Sequence, residues 1–267
     1  MNSSIHATAV IGFDAVLEEE VSVGPYSVIE DDVIVGAGTV VGPHVHIASG
    51  TRIGQCCRIH AGAVLGGEPQ DLKFEGEKTY LFIGDRTVIR ECVTLNRGTK
   101  ANGKTVVGSD TLIMAYVHAG HDTVIGNHVV IANSVQFGGH CHVSDYVVIG
   151  GVCGVHQFVR IGRYAMVGGI ARASLDVPPF VLAGGHETFR YEGLNLLGLK
   201  RRGFSPGTIR QIRDVYRIIF QSGLLLGNAL ERVRREFPAE QEVKEILDFF
   251  DTGRYSRKFI RPFQVKR

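Results

Sequence analysis

An aliphatic residue returns at every sixth position along most of the first two thirds of the chain. The series runs Ile11, Leu17, Val23, Ile29, Val35, Val41, Ile47, Ile53, Ile59 and Leu65, then Ile83, Ile89 and Leu95. It resumes as Val107, Ile113, Ala119, Ile125, Ile131, Phe137, Val143, Ile149, Val155, Ile161 and Val167. A period of six matches neither the 3.6 of an α-helix nor the two of a long strand. Glycine follows at many steps, as in Ile11-Gly12, Ile53-Gly54, Ile83-Gly84, Val107-Gly108, Ile125-Gly126 and Ile161-Gly162. This is the hexapeptide signature of a parallel β-helix, in which each hexad supplies one short strand and one corner.

The period works as a ruler. The aliphatic side chain points into a narrow prism, while Gly or Asn is expected to take the backbone geometry of the corner. Three hexads close one triangular coil, so residues eighteen apart in an unbroken stretch stack about 4.8 Å apart, the spacing of paired strands. A solenoid of this kind needs only neighbouring coils for stability, so a chain of 267 residues is not bound by the usual core-size limit.

Two segments break the hexads, 66–82 and 98–105, both polar and rich in turn residues. Loops thrown from one face of a repeat protein usually serve binding or assembly. The period ends after Asp176-Val177-Pro178-Pro179. Ser205-Pro206 then reads as a helix start, followed by Ile209, Ile212, Tyr216, Ile219 and Phe220 at helical spacing up to Gly223. Further helices are expected from about Asn228 to Phe237 and from about Pro238 to Phe250, ending near Gly253. The expected organisation is an all-β solenoid over 1–185 and a small α-helical domain over 186–267.

The remaining bulk features exclude several classes. Met1 to Thr8 has no basic cluster leading into an apolar run, and no stretch resembles a transmembrane span, so a cytoplasmic location is expected. The five cysteines, Cys56, Cys57, Cys92, Cys141 and Cys153, are odd in number and lack metal-type spacing, which argues for wall or corner positions rather than a disulfide framework. A net charge of +2 gives no argument for nucleic acid.

Histidines cluster at His118, His121, His128, His140, His142 and His156. Counting eighteen from His121 reaches Gly139, and eighteen more reaches Gln157, so the ruler stacks a histidine, a glycine and a glutamine, with His140 and His156 beside them. Neutral imidazole can take a proton from an attacking alcohol near neutral pH. Asp122 is placed to orient His121, and a glycine amide one coil away can donate to a tetrahedral oxyanion. The column therefore suits acyl transfer to a hydroxyl without a nucleophilic side chain. Zinc competes for the same histidines, because β-helical carbonic anhydrases of the gamma class hold zinc through three of them, although His118 and His121, three apart, do not share a strand face. A catalytically silent trimeric scaffold is the structural alternative.

The ordered set of motifs resembles the UDP-N-acetylglucosamine O-acyltransferase family. The set comprises Gln70-Asp71-Leu72-Lys73, the stretch from Ile89 to Thr99, His118-Ala119-Gly120-His121-Asp122, Gly139-His140, and Val155-His156-Gln157-Phe158. It continues with Met166-Val167-Gly168-Gly169, Asp176-Val177-Pro178-Pro179 and Lys200-Arg201-Arg202-Gly203-Phe204-Ser205, so that almost the whole chain is covered. The resemblance implies a left-handed β-helix, an exception to the usual crossover hand, assembled as a homotrimer with sites between subunits. It implies transfer of an (R)-3-hydroxyacyl group from acyl carrier protein to the 3-hydroxyl of UDP-N-acetylglucosamine, opening lipid A biosynthesis, with no cofactor and no metal. By motif, His121 is the general base, Asp122 its partner and Gly139 the oxyanion donor. Asp71, Lys73, His118, His140, His156 and Gln157 would hold substrate, and Asn195, Arg201 and Arg202 the nucleotide; guanidinium groups suit phosphate independently of any family.

Three further expectations follow from the resemblance. Lys200, Arg201, Arg202, Arg254, Arg257, Lys258, Arg261, Lys266 and Arg267 would favour encounter with an acidic carrier protein. Gly169 stands where the family sets acyl length, and glycine there implies a chain of about fourteen carbons. Asn96 departs from the common His, and Leu197 from a common acidic residue, which leaves a 3-amino sugar open as acceptor. A related N-acyltransferase family carries a uridine-binding domain ahead of its β-helix, for which hexads beginning by Ile11 leave no room.

Overall fold

The computed structural model describes residues 4–185, 188–237, 240–252 and 258–262. Among these, short parallel strands stack into sheets of eleven, nine and eight strands, the three faces of a prism. Ser4–Ile5 pairs with Ser22–Val23, so the coils begin one strand before Ile11. The eighteen-residue register continues through Val124↔His142 and His142↔Arg160. The interruptions lengthen it locally: Val64 pairs with Thr94 and Thr94 with His118, steps of thirty and twenty-four residues. The strands Val64–Gly67 and Tyr80–Ile83 bound the first excursion, and Thr94–Asn96 and Lys104–Val107 the second.

From Val21 onward most hexads bury two side chains. The aliphatic residue of the period points inward, and so does a residue two positions earlier, which is smaller in pairs such as Ala63 with Leu65 and Ala165 with Val167. Cys57, Cys141 and Cys153 occupy this second position and are buried, whereas Cys56 and Cys92 are exposed corner residues.

The corners meet the expectation about glycine in part: the second corner residue adopts a left-handed backbone, and Gly38, Gly50 and Gly62 stand there. At other corners it is Asp122, His128, His140, Tyr146, Phe158 and even Val152 or Ile170 that do so, and no asparagine among the described residues does. The glycine that follows the aliphatic residue serves a different need. A Cβ on Gly108 would lie 2.5 Å from the carbonyl carbon and oxygen of Gly126 in the next coil. Glycine is required there because the coils approach too closely for a side chain.

Beyond the last coil, Val181–Gly184 forms an antiparallel hairpin with Arg190–Leu194 at the end of the eleven-stranded sheet. Among the described residues four helices follow: α1 Leu196–Arg201, α2 Pro206–Gln221, α3 Leu226–Glu236 and α4 Gln241–Asp251. The hairpin strand and α1 were not expected from the periodicity. Ser205 caps α2 by accepting from the Thr208 amide at 3.0 Å. The expected start of the last helix at Pro238, its end at Gly253 and the basic residues Arg254, Arg257, Lys266 and Arg267 lie outside the described residues.

Several contacts bind the helices to the solenoid. The buried Tyr216 donates its hydroxyl to the Pro179 carbonyl at 2.7 Å. The Arg160 guanidinium lies over the Phe249 ring at 4.4 Å and pairs with Asp176 at 2.8 Å. No helix among the described residues is long and apolar enough to cross a membrane.

Two stability outcomes follow. Gly108→Ala should lower stability by about 1–3 kcal/mol through overpacking. Gly227→Ala, in α3 with nothing within 4 Å of the added methyl, should raise it by up to about 1 kcal/mol; denaturant titration of both variants measures the contrast. At the junction, burial together with Glu242 and Asp145 pushes the Glu245 carboxyl from 4.5 up to about 7, despite Arg163 at 3.7 Å. The folded chain then binds more protons than the unfolded one between those values. This share of stability is complete below about pH 4.5 and lost as pH rises through about 7. Glu245→Gln, which resembles the protonated side chain, should therefore exceed the wild-type melting temperature near pH 8 by more than near pH 5.

Candidate active site

The corner His121-Asp122 joins the strand His118–Ala119 of the nine-stranded sheet to Val124–Ile125 of the eight-stranded sheet. Both corner side chains are buried. Asp122 has a left-handed backbone, which brings its carboxylate back beside its neighbour: His121 Nδ1 lies 2.8 Å from Asp122 Oδ2. The carboxylate also accepts from the Thr99 amide, at 3.1 and 3.2 Å, from the Thr99 hydroxyl at 2.7 Å and from the Asn102 amide at 3.2 Å. These donors compensate the burial of a charge. With Asp122 acting as acceptor, Nδ1 of His121 carries a proton, so in the neutral ring the lone pair lies on Nε2.

The next coil places Gly139-His140 above this pair, and the coil after it Gln157-Phe158. A Cβ on Gly139 would lie 2.7 Å from Nε2 and Cε1 of His121, so the glycine packs directly against the imidazole. At the corresponding corner position on another edge, Gln55, Asp85, Ser109 and Asn127 donate their amides to a side chain of the next coil. Among the described residues the Gly139 amide has no such acceptor. The arrangement sets an imidazole lone pair and a backbone donor side by side, as acyl transfer requires.

His140 stands edge-on to His121, with ring centroids 5.0 Å apart, and stacks on Phe158 at 4.6 Å. Burial holds its pKa below the usual imidazole value, against the opposing pull of Asp122 and Asp71. His118 faces outward from the nine-stranded sheet, with Nδ1 2.8 Å from the Thr94 hydroxyl; burial lowers its pKa as well. His156 and Gln157 are exposed at the top of the column. On the first excursion, Asp71 accepts from the Lys73 amide at 3.0 Å, and its charge reaches His140. Asn96 anchors the start of that excursion through Nδ2 to the Glu68 carbonyl at 2.7 Å; among the described residues its buried Oδ1 has no partner.

The nucleotide candidates lie on a different edge of the same chain. Asn195 caps α1, accepting from Gly198 N at 3.1 Å and donating to the carbonyl of Tyr164 at 2.9 Å. Tyr164 turns the corner between the eight- and eleven-stranded sheets. Arg202 lies over the Tyr146 ring at 4.8 Å on this edge; Arg201, in the last turn of α1, and Leu197 are exposed. Gly169 turns the third corner, between the eleven- and nine-stranded sheets, and a Cβ there would meet only Gly151 O at 3.3 Å and N at 3.7 Å. Thr99 and Asn102 escaped the sequence reading; the available signal was the placement of an excursion one coil before the His-Asp corner.

His121, Asp122 and His140 offer atoms within 4.8 Å of one another that could hold a metal. The Asp122 oxygens are, however, already met by donors. Of the histidine pairs 118/121 and 140/142, only His121 and His140 contribute to this cluster.

Comparisons with known proteins cover both parts of the chain. The profile of domain 2 of UDP-N-acetylglucosamine O-acyltransferase matches residues 176–260, and the hexapeptide transferase repeat matches 14–49, 32–67 and 104–139. The acyl-[acyl-carrier-protein]–UDP-N-acetylglucosamine O-acyltransferase of Chlorobium phaeobacteroides is 77% identical over 98% of this chain and 99% of its own length. That of Xylella fastidiosa is 44% identical over 94% and 96%. Among solved structures, the UDP-N-acetylglucosamine acyltransferase of Bacteroides fragilis superposes with a TM-score of 0.92 at 42% identity, covering 96% of this chain and 99% of that one. The Francisella novicida enzyme gives 0.93 at 34% identity, covering 97% and 94%. With its motifs, fold and relatives in agreement over nearly its full length, the chain belongs to the UDP-N-acetylglucosamine O-acyltransferase family.

Proposed function

We propose that this acyltransferase moves an (R)-3-hydroxyacyl group from acyl carrier protein to the 3-hydroxyl of UDP-N-acetylglucosamine, the first step of lipid A biosynthesis, in the cytoplasm. The observation that carries the mechanism is the buried His121-Asp122 pair with Gly139 packed on its imidazole. Nε2 of His121 takes the proton of the sugar hydroxyl as its oxygen attacks the thioester carbonyl carbon. Asp122 stabilises the imidazolium, and the Gly139 amide donates to the developing oxyanion. Collapse of the tetrahedral intermediate breaks the carbon–sulfur bond, and the departing thiolate takes the proton back from His121. His118, His140, His156, Gln157, Asp71 and Lys73 surround the reacting groups. An ester product rather than an amide is supported by relatives 73–77% identical that are named as O-acyltransferases. Family membership favours neither zinc chemistry nor a silent scaffold.

The working form in this reading is a homotrimer of left-handed β-helices. Its support is that the His121 corner and the Asn195, Arg201 and Arg202 group occupy different edges of one prism, so a nucleotide touching both groups spans two copies. The acyl chain would run across the nine-stranded sheet from the His121 edge toward Gly169, past the outward positions Gln136 and Gly154. Lys200, Arg201, Arg202, Lys258 and Arg261 would draw in the acidic carrier protein.

His121→Ala should remain a folded oligomer and lose about 10²–10⁴-fold in rate. The assay is transfer from 3-hydroxyacyl carrier protein to labelled UDP-N-acetylglucosamine, with the 3-amino sugar in parallel; full activity of the variant, or product from the amine alone, would displace this reading. Donors of ten and fourteen carbons test Gly169. The longer should react faster with the wild type, and Gly169→Leu should reverse that order, whereas a wild-type preference for ten carbons would remove the assignment.

A further inference from the structure

We propose that Thr99 is a positioning residue for the transfer, holding the Asp122 carboxylate so that His121 presents Nε2 as an unprotonated base. The proposal rests on His121 being that base. Thr99 belongs to the second excursion, bounded by the strands Thr94–Asn96 and Lys104–Val107, and is buried. The excursion closes tightly on itself: Gly103 donates its amide to the Thr99 carbonyl at 2.7 Å, and a Cβ on Gly98 would lie 2.3 Å from the Lys104 amide. Its neck thus delivers Thr99 to the corner one coil above.

The direction of each hydrogen bond follows from the donors available. The Ala101 amide donates to the Thr99 hydroxyl oxygen at 3.2 Å, which turns the hydroxyl hydrogen toward Asp122 Oδ2 at 2.7 Å. The Thr99 and Asn102 amides occupy Oδ1 at 3.1 and 3.2 Å. Four donors including His121 Nδ1 therefore fix the plane of a carboxylate whose side chain has 0% exposure. With every donor directed at the carboxylate, Nδ1 is the ring nitrogen that donates to it, and the neutral ring therefore has its accepting lone pair on Nε2. The charged or titratable groups around His121 are Asp122 on its own corner and His140 on the next coil, with Asp71 acting on His140 from the first excursion. Thr99 controls the nearest of them. This gives the second excursion a role in the chemistry beyond substrate binding.

The test compares Thr99→Val, Thr99→Ser and His121→Ala with the wild type in steady-state transfer across about pH 5 to 9. Valine keeps the Thr99 shape and amide and removes only the hydroxyl. Its kcat should fall about tenfold through misplacement of the dyad, with KM for both substrates within about twofold. The acid limb of its kcat profile should move to higher pH, because the carboxylate then concentrates its charge on Nδ1–H and stabilises the imidazolium. Thr99→Ser should restore both the rate and the limb. A Thr99→Val enzyme with unchanged kcat, or one whose kcat falls while the acid limb stays in place, overturns the proposal. If Thr99→Val does not assemble, Thr99→Ala is judged by the same two criteria. An active His121→Ala enzyme instead overturns the assignment of the base itself, so the two failures are distinguishable.

Discussion

The rise of one coil, fixed by hydrogen bonds between parallel strands, is the constraint on which the rest of this molecule depends. Rings at corresponding corner positions show it directly: His128, Tyr146 and Tyr164 stack at 4.7 and 4.8 Å. At that spacing some corners, such as Gly108 beneath Gly126, leave no room for a Cβ after the aliphatic residue, and glycine stands there for steric reasons. The same spacing converts an eighteen-residue step in sequence into contact between side chains. Ladders of like residues are the ordinary result, and a histidine beneath a glycine is the exceptional one.

That exception gives the site its chemistry. On the edge between the eight- and eleven-stranded sheets, the first amide of several corners is taken up by an Asp, Asn or Ser of the next coil. At Gly139 the neighbouring coil offers Gln157, and the packing partner below is an imidazole. The left-handed backbone of Asp122 brings two adjacent side chains into hydrogen-bond contact, which two consecutive strand residues pointing to opposite faces cannot achieve. The corner is therefore where this fold can build a dyad from neighbours in sequence. The buried carboxylate needs additional donors, and a loop one coil away supplies them. Helical and solenoid parts meet through aromatic and guanidinium contacts on a separate edge, which sets the nucleotide candidates apart from the dyad within one chain.

Much of this was legible in the chain itself. The hexads located the inward aliphatic residues from Val23 to Val167, and the step of eighteen placed His121, Gly139 and Gln157 in one column. The helix beginning at Ser205-Pro206 was legible from its cap and periodic apolar face. The hairpin Val181–Gly184 with Arg190–Leu194, and the short helix α1, were not, because they follow from docking against the last coil rather than from a repeated local signal. Asn195 was expected as a nucleotide contact from its motif, but its bonds to α1 and to Tyr164 could be seen only in the tertiary structure. Glycine and asparagine were expected at the left-handed corners; Gly38, Gly50 and Gly62 meet that expectation, but Val152, Ile170 and aromatic residues take the same backbone elsewhere, and for His128, Tyr146 and Tyr164 stacking between coils offsets the local preference.

The division has a physical basis. A period of six is a local property, repeated often enough to specify strand, corner and inward face without any knowledge of distant contacts, and it determined the solenoid and the order of its columns. The Thr99 to Asp122 bonds and the burial of Glu245 against Arg163 depend on where an excursion and a helix settle on that frame. These positions arise from one-time contacts between segments far apart in sequence, with no period to announce them, and only the tertiary structure decided them.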